Sequence, residues 1–529
     1  MDRISELPEP ILQHILSFLP FKQVFQCAIL AKRWKHVWST FPILRFDHTY
    51  FNSLSKIARG RDVWLKRGDL YSFVEQNLES RRKQRLLVKN FTLSDRLGRQ
   101  KSASRVDRWL SFALESNVEE LNLDFERFAS VCYCLPQSVL LSKSLRLLSL
   151  HRCKFDTSST GGLINMSSLR KVCLVEVHMD NQFLQSLVVG CPALEDMNLK
   201  WCYGLKGIEL LCHHGLMAVG IEENRDLERV ELEAPNLCSV HIVQTSCEIN
   251  LNLVEVKLDA PKLCRFDHYT RSVISLSSLN ALNLSVATYG MISRDDPWNV
   301  KKIEFLSKLS NSKLLSLSLQ SAENAIMPKR LRKTVSSPTY NVKHLHLILS
   351  SPMSFTRYAI GELVDSLLWI SPLLDSLTIE AGSIYKPDDY DKISFKLSYE
   401  KPVYKGENSS CCKFLPFPCW RHCLKTVEID NRRGSADKEI LSNYFFENAK
   451  TLENFQFLVG GKKIIDDGTF GTPEYWTFEG VPLKKSAYIP DCKMIKHLKS
   501  LYYLDLLNLE NQNNPMKPVI SLAMFGRSD

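Results

Sequence analysis

"LERVELEAPNLC" (227–238) returns as "LVEVKLDAPKLC" (253–264), with seven of twelve positions identical after a step of 26 residues. Ala-Pro-x-Leu-Cys travels with the apolar frame, which chance recurrence of leucines would not produce. The frame, apolar-x-x-apolar-x-apolar, sets aliphatic side chains on one side of a short strand and polar residues between them. A lone strand of this kind cannot bury its apolar side, so each copy needs another copy beside it.

Outward from this pair the frame recurs at Val118–Leu123, Leu145–Leu150, Leu169–Leu174, Leu194–Leu199 and Leu279–Leu284, besides Leu227–Leu232 and Leu253–Leu258. The starts step by 27, 24, 25, 33, 26 and 26 residues, at or near the length of a leucine-rich repeat. The spacing predicts an α/β solenoid, a curved parallel sheet with helices and loops on its convex side. Frames also start at Leu205 and Leu216, and these shorter steps leave no room for a return helix. Tight strand-to-strand coils are expected there. Later frames start at Leu314, Val342, Leu374, Leu424 and Leu452, with "SRDDPWNVKK" and "MPKRLRKTVSSPTYN" expected to loop out. Polar residues between the inward aliphatics should line the concave side: Glu120, Asn122, Asp124, Arg229, Glu231, Glu233, Glu255, Lys257 and Asp259. Their mixed signs suit a protein partner more than an apolar ligand, although each one alone reads as a solvated strand residue.

Ahead of the repeats stands "ISELPEPILQHILSFLPFKQVFQCAILAKRWKHVW" (4–38). Pro8 and Pro10 suit a first helical turn, and Ile11, Leu12, Ile15, Leu16, Phe18 and Leu19 follow at helical spacing until Pro20. A second short helix is expected through Val24, Phe25, Ala28 and Ile29, and a third through Trp34, Val37, Trp38 and Phe41. Three helices in about forty residues carry more apolar surface than so small a core can hide. The module is then either a cap on the solenoid or a surface for a partner helix.

These residues resemble an F-box, the adaptor-binding module of cullin-based ubiquitin ligases. Leu7-Pro8, the run Ile11 to Pro20, and Lys32-Arg33-Trp34 with Trp38 carry the likeness. The resemblance implies an SKP-family adaptor as partner, contacted by Leu7, Pro8, Ile11, Leu12, Ile15, Leu16, Leu19 and Trp34, with Lys32 and Arg33 at the rim. Val24 and Cys27 stand where relatives carry small residues, and Ala31 where Ser is usual. Near the other end, "CLKTVEIDNRRGSADKEILSNYFFENAKTLENFQF" (423–457) reads as strand, turn, helix and strand, and resembles the FBD segment that follows leucine-rich repeats in many plant F-box proteins. The expected organisation is an F-box over 1–46, a basic connector over 47–85, repeats over 86–400, the FBD-like segment over 401–480 and an unassigned tail over 481–529.

The net charge of +10 is local: Lys56 to Arg108 holds 15 Lys plus Arg against 6 Asp plus Glu. Without aromatic residues interleaved at regular spacing, this reads as a solvated connector more than a nucleic-acid platform. No apolar run is long enough to cross a bilayer and no basic-then-apolar leader opens the chain, so nucleus or cytoplasm is expected, with the 16 cysteines reduced.

No catalytic pattern stands out. Gly460-Gly461-Lys462 lacks the gap of a phosphate loop, and His213-His214 lacks the acid of a metalloprotease helix. "CCKFLPFPCWRHC" offers Cys411, Cys412, Cys419, His422 and Cys423 as zinc ligands, but not at the spacing of paired Cys-x-x-Cys knuckles. They read as thiols of an extended connector, so no metal, cofactor or enzyme activity is expected. The resemblance implies the substrate-recognition subunit of an SCF-type cullin–RING ligase, holding a target protein for ubiquitination. A non-ligase repeat scaffold and a small-molecule-dependent F-box receptor are the two other readings.

Overall fold

The computed structural model describes residues 4, 6–19, 23, 24, 27, 32–47, 67–95, 100–125, 132–155, 163–246, 253–291, 298–350, 359–382, 390–400, 412, 419–432, 434 and 437–463. The tail at 481–529, and Phe25, Ala28 and Ile29 of the expected second helix, lie outside these residues.

Helix α1 (Glu9–Ser17) starts behind Pro8, and helix α2 covers Lys32–Thr40. Val24 and Cys27 are helical between them. Leu12, Leu16, Val24, Val37 and Phe41 close a small core that is separate from the main one. Val24, the departure from the family pattern, is therefore one of the residues that fill this core.

The repeat sheet begins earlier than expected. Strand β1 (Ile43–Asp47) follows α2 at once and pairs in parallel with β2 (Asn90–Asp95). Helix α3 (Arg67–Gln84) buries Leu70, Tyr71, Val74 and Leu78 in the repeat core. The expected boundaries at 46 and 86 thus fall inside one packed unit, because Leu44 and Phe46 alternate inward and α3 covers them. After α4 (Gln100–Glu115) comes β3 (Glu120–Phe125), then the short β4 (Tyr133–Leu135) and α5 (Gln137–Leu140). Strands β5 (Leu147–His151), β6 (Cys153–Phe155) and β7 (Lys171–Val175), helix α6 (Asn181–Gly190) and strand β8 (Asp196–Lys200) continue the coil. Leu121, Leu148, Val172 and Met197 are register partners across β3, β5, β7 and β8, so one apolar row runs from repeat to repeat.

From β8 onward each turn carries two strands, as the short steps predict. Strands β9 (Gly207–Leu211), β11 (Arg229–Glu233), β13 (Glu255–Asp259) and β15 (Ser275–Asn280) form a separate four-stranded sheet. Strands β10 (Ala218–Glu222), β12 (Ser239–Gln244), β14 (Arg265–Thr270) and β16 (Val286–Met291) extend the main sheet. Corner residues Arg152, Glu176, Trp201 and Glu223 take φ of 57°, 51°, 51° and 52° directly after their strands. The amide of each donates to a carbonyl at the end of the strand in the next repeat, as from Trp201 to Glu222 at 2.8 Å and from Glu223 to Val243 at 2.7 Å, so the ladder continues around the bend.

Helix α7 (Val300–Lys308), β17 (Leu314–Leu319), α8 (Lys329–Arg332), β18 (His344–Leu349), α9 (Ala359–Ile370) and β19 (Ser376–Gly382) return to helix-backed repeats. The two insertions do not loop out across their described residues. Lys302, Met327, Ser337 and Thr339 are buried, and Thr339 bonds the Ile370 carbonyl at 2.8 Å. Strand β20 (Tyr390–Tyr399) runs antiparallel to β19 and to β21 (Leu424–Asn431), against the all-parallel expectation. So short a link from β19 cannot make a crossover, and only an antiparallel return is open to it. Helix α10 (Lys438–Asn448), β22 (Asn454–Val459) and β23 (Lys462–Lys463) finish a sheet of 17 strands among the described residues and bear out the strand, helix and strand of the C-terminal segment, whose turn residues Arg433 and Ser435 lie outside the described residues.

Candidate partner-binding surfaces

The N-terminal module divides its apolar residues between inside and outside. Leu12 and Leu16 are buried in its own core, which corrects their assignment as direct adaptor contacts. They support the surface from beneath. Ile11 is 46% exposed and Phe18 74% exposed, with Ile15, Leu19 and Leu7 half-buried beside them. Positions 11, 15 and 18 form one row on a helix, so the exposed strip is continuous. The His14 ring meets the Phe18 ring edge-on, with centroids 4.7 Å apart. Phe18 was missing from the expected contacts although its i, i+4, i+7 spacing from Ile11 and Ile15 was available in the sequence.

Polar contacts lock this module. The Arg33 guanidinium donates to the Leu7 carbonyl at 2.7 Å and ties α2 to the segment before α1. Gln13 donates to Glu9 at 3.1 Å and to Thr40 at 3.2 Å, and the Thr40 hydroxyl also bonds Glu9. Pro8 and Lys32 are exposed at the edge of the apolar strip, and Trp34 is half-buried against the core.

The nine expected concave residues fall on two different sheets. Glu120, Asn122 and Asp124 project from β3 in the main sheet, whereas Arg229, Glu231, Glu233, Glu255, Lys257 and Asp259 sit on β11 and β13 of the four-stranded sheet. They do not share a face. Four of the latter six pair across strands, Arg229 with Glu255 at 3.2 Å and Lys257 with Glu231 at 3.8 Å, while Asp259 accepts from Asn280 at 2.8 Å and Glu233 from the Cys212 thiol at 3.4 Å.

On the main sheet, outward side chains pair between neighbouring repeats. Asn90 donates to Glu120 at 2.6 Å, Lys171 to Asp196 at 2.5 Å and Lys200 to Glu222 at 2.5 Å. The His151 ring lies 2.6 Å from Asp124 and 3.4 Å from Glu176, which also accepts two bonds from Arg152 at 2.7 and 2.8 Å. Burial works against ionised Glu176, but the bonds from His151 and Arg152 outweigh it and hold the carboxyl down at about 2. Burial likewise lowers His151, yet Asp124 and Glu176 raise it overall. Between the charged rows, Thr92, Asn122, Ser149, Cys173, Asn198, Gly220, His241, Asp267 and Thr288 follow one another in register. This line of mostly polar residues beside ion pairs is a polar track suited to a protein segment.

Of the zinc-type residues, Cys412, Cys419 and His422 come together and Cys411 lies outside the described residues. Of the cysteines that read from the sequence as small apolar fillers beside the repeat strands, Cys153 and Cys202 are buried, whereas Cys173 and Cys238 are half-buried.

Comparison with known proteins finds matches for both parts of the chain. Residues 4–46 match the F-box domain family model, and residues 81–257 match the model described as At1g61320/AtMIF1, LRR domain. The Arabidopsis thaliana putative F-box/LRR-repeat protein At3g18150 is 27% identical over 393 residues, 74% of each chain. F-box/LRR-repeat protein At3g03360 of the same organism is 26% identical over 399 residues, 74% of this chain and 73% of that protein. Its putative F-box/LRR-repeat protein At3g28410 is 25% identical over 475 residues, 87% and 86% of the two chains.

Proposed function

We propose that this chain, an F-box domain leading into a leucine-rich-repeat sheet, is the substrate-recognition subunit of an SCF-type cullin–RING ubiquitin ligase in the nucleus or cytoplasm. One observation carries the reading: the N-terminal helices close a core of their own and still present Ile11 and Phe18 outward. A cap would turn those side chains onto the solenoid. A docking module leaves them for a partner, and an SKP-family adaptor supplies the apolar counterpart. Lys32 and Arg33 would border that contact.

The polar track of the main sheet is the surface for the target protein. Catalysis in this scheme is proximity: the receptor raises the concentration of target lysines near a ubiquitin-charged enzyme and makes no bonds itself. Binding of the full chain to an SKP-family adaptor tests the assignment, run beside a chain without residues 1–41. That cut spares β1, which belongs to the repeat sheet. Submicromolar affinity lost on truncation supports it. A well-folded full chain that ignores the adaptor refutes it and leaves the repeat scaffold.

A further inference from the structure

We infer that Cys412, Cys419 and His422 form a binding site for a divalent cation of the zinc class. One ligand atom from each residue lies within 4.8 Å of the other two. In tetrahedral zinc sites the metal–sulfur and metal–nitrogen bonds of about 2.3 and 2.0 Å place ligand atoms roughly 3.5–3.8 Å apart. Closure by about an ångström completes the group.

Two of the three ligands stand on a fixed platform. Cys419 caps and His422 ends one turn of 3₁₀ helix (Trp420–His422), where residues i and i+3 lie one above the other, and the His422 amide donates to the Cys419 carbonyl at 2.9 Å. Trp420 is buried, and Arg421 donates to Asp365 at 2.5 Å and bonds Asn448. The Lys450 amide donates to the Arg421 carbonyl at 2.8 Å. Cys412 reaches this platform from earlier in the chain, and its sulfur accepts the Cys419 amide at 3.2 Å.

The donor set names the ligand class. Two thiolates and an imidazole select zinc-like ions over magnesium or calcium, which take oxygen. Binding releases the two thiol protons, so the charges of Zn²⁺ and the two thiolates cancel. Cys423 stands outside the group of converging ligand atoms, and its thiol donates to the Cys419 carbonyl at 3.3 Å. Water or a group from a partner completes the tetrahedron. The metal would fasten the segment bearing Cys412 to the start of β21, where the Glu400 amide already holds the Cys423 carbonyl at 2.8 Å.

The test uses the purified full chain, reduced, stripped of metal and titrated with Co²⁺. The expected result is one equivalent per chain, tetrahedral d–d bands with a thiolate-to-cobalt charge-transfer band, and displacement by Zn²⁺. Cys412→Ser, Cys419→Ser and His422→Asn should each weaken Co²⁺ binding by at least about tenfold. Cys134→Ser and Cys212→Ser, at exposed thiols elsewhere, should leave it unchanged. Circular dichroism separates a lost ligand from a lost fold. Protection of Cys412 from alkylation by Zn²⁺ in the unsubstituted protein needs no variant at all. No saturable cobalt spectrum, equal weakening by Cys134→Ser, or alkylation of Cys412 indifferent to Zn²⁺ overturns the site.

Discussion

Phe18→Ala and Leu16→Ala, two positions apart, should fail in opposite ways. Leu16 is 1% exposed, and truncating such a leucine costs on the order of 3 kcal/mol or more. Some forty residues at about 0.05–0.15 kcal/mol each hold only about 2–6 kcal/mol of net stability. Loss of Leu16 therefore removes much of what keeps the helices folded. The main core should stand, because Leu16 belongs to the separate small cluster. Phe18 is 74% exposed, so its truncation should change stability by less than about 0.5 kcal/mol. As a docking aromatic it should cost about 2 kcal/mol in adaptor binding, or roughly 30-fold in Kd at 1.4 kcal/mol per decade. Calorimetric titration with an SKP-family adaptor, combined with hydrogen exchange, reads both effects. Phe18→Ala should keep α1 protected and bind about 30-fold more weakly. Leu16→Ala should lose protection across α1, with weaker binding as a consequence. Wild-type affinity in Phe18→Ala, or full protection of α1 in Leu16→Ala, would refute the division into supporting and contacting residues.

Other positions make further demands on the same fold. His268 is wholly buried in the main sheet beside Phe266, Tyr289 and Phe305, and burial pushes its pKa down to about 3 from 6.5. Below 6.5 the unfolded chain takes up a proton that the folded one refuses, so stability should fall with pH by up to about 1.4 kcal/mol per unit. Urea midpoints between pH 7 and 4 should show this slope and His268→Leu should reduce it; equal slopes would remove His268 from the account. Asp365 on α9 accepts Arg332 and Arg421, each at 2.5 Å, and Tyr444 at 2.9 Å. Asp365→Ala leaves two guanidiniums without their shared carboxylate and should destabilise the C-terminal third by about 3–5 kcal/mol in thermal unfolding, with Asp365→Asn milder. At Gly190, which closes α6, an added Cβ would lie 2.4 Å from the Ile164 carbonyl oxygen. Gly190→Ala should cost about 1–3 kcal/mol, and an unchanged melting temperature would mean that the backbone there yields freely.

Much of this architecture was legible along the chain. A six-residue apolar frame at fixed spacing has few ways to be buried, so the stacked strands and the tight coils after Leu194 followed from it. The zinc-type residues were visible in the chain, but which of them meet was hidden for a geometric reason. Seven positions separate Cys412 from Cys419, and only the folded path brings them together. Cys419 and His422 meet because their turn is 3₁₀, a local choice that spacing alone does not announce. The insertions read as loops because they are polar, yet Met327 and Thr339 within the second of them are buried.

The amino-acid sequence by itself determined that there would be an amphipathic helical module and a repeating strand, since period and polarity are properties of the chain. Tertiary structure decided which side each copy faces. The step of 33 residues from Leu194 to Leu227 is three short half-turns through Leu205 and Leu216, so the frame crosses from one sheet to the other. Arg229 and Glu120 occupy like positions in the frame on different surfaces of the molecule. In α1 likewise, two adjacent apolar rows were equally visible. Only the approach of α2 selected Leu12 and Leu16 for the core and left Ile11 and Phe18 outside, because a helix against one neighbour can bury one row and not both.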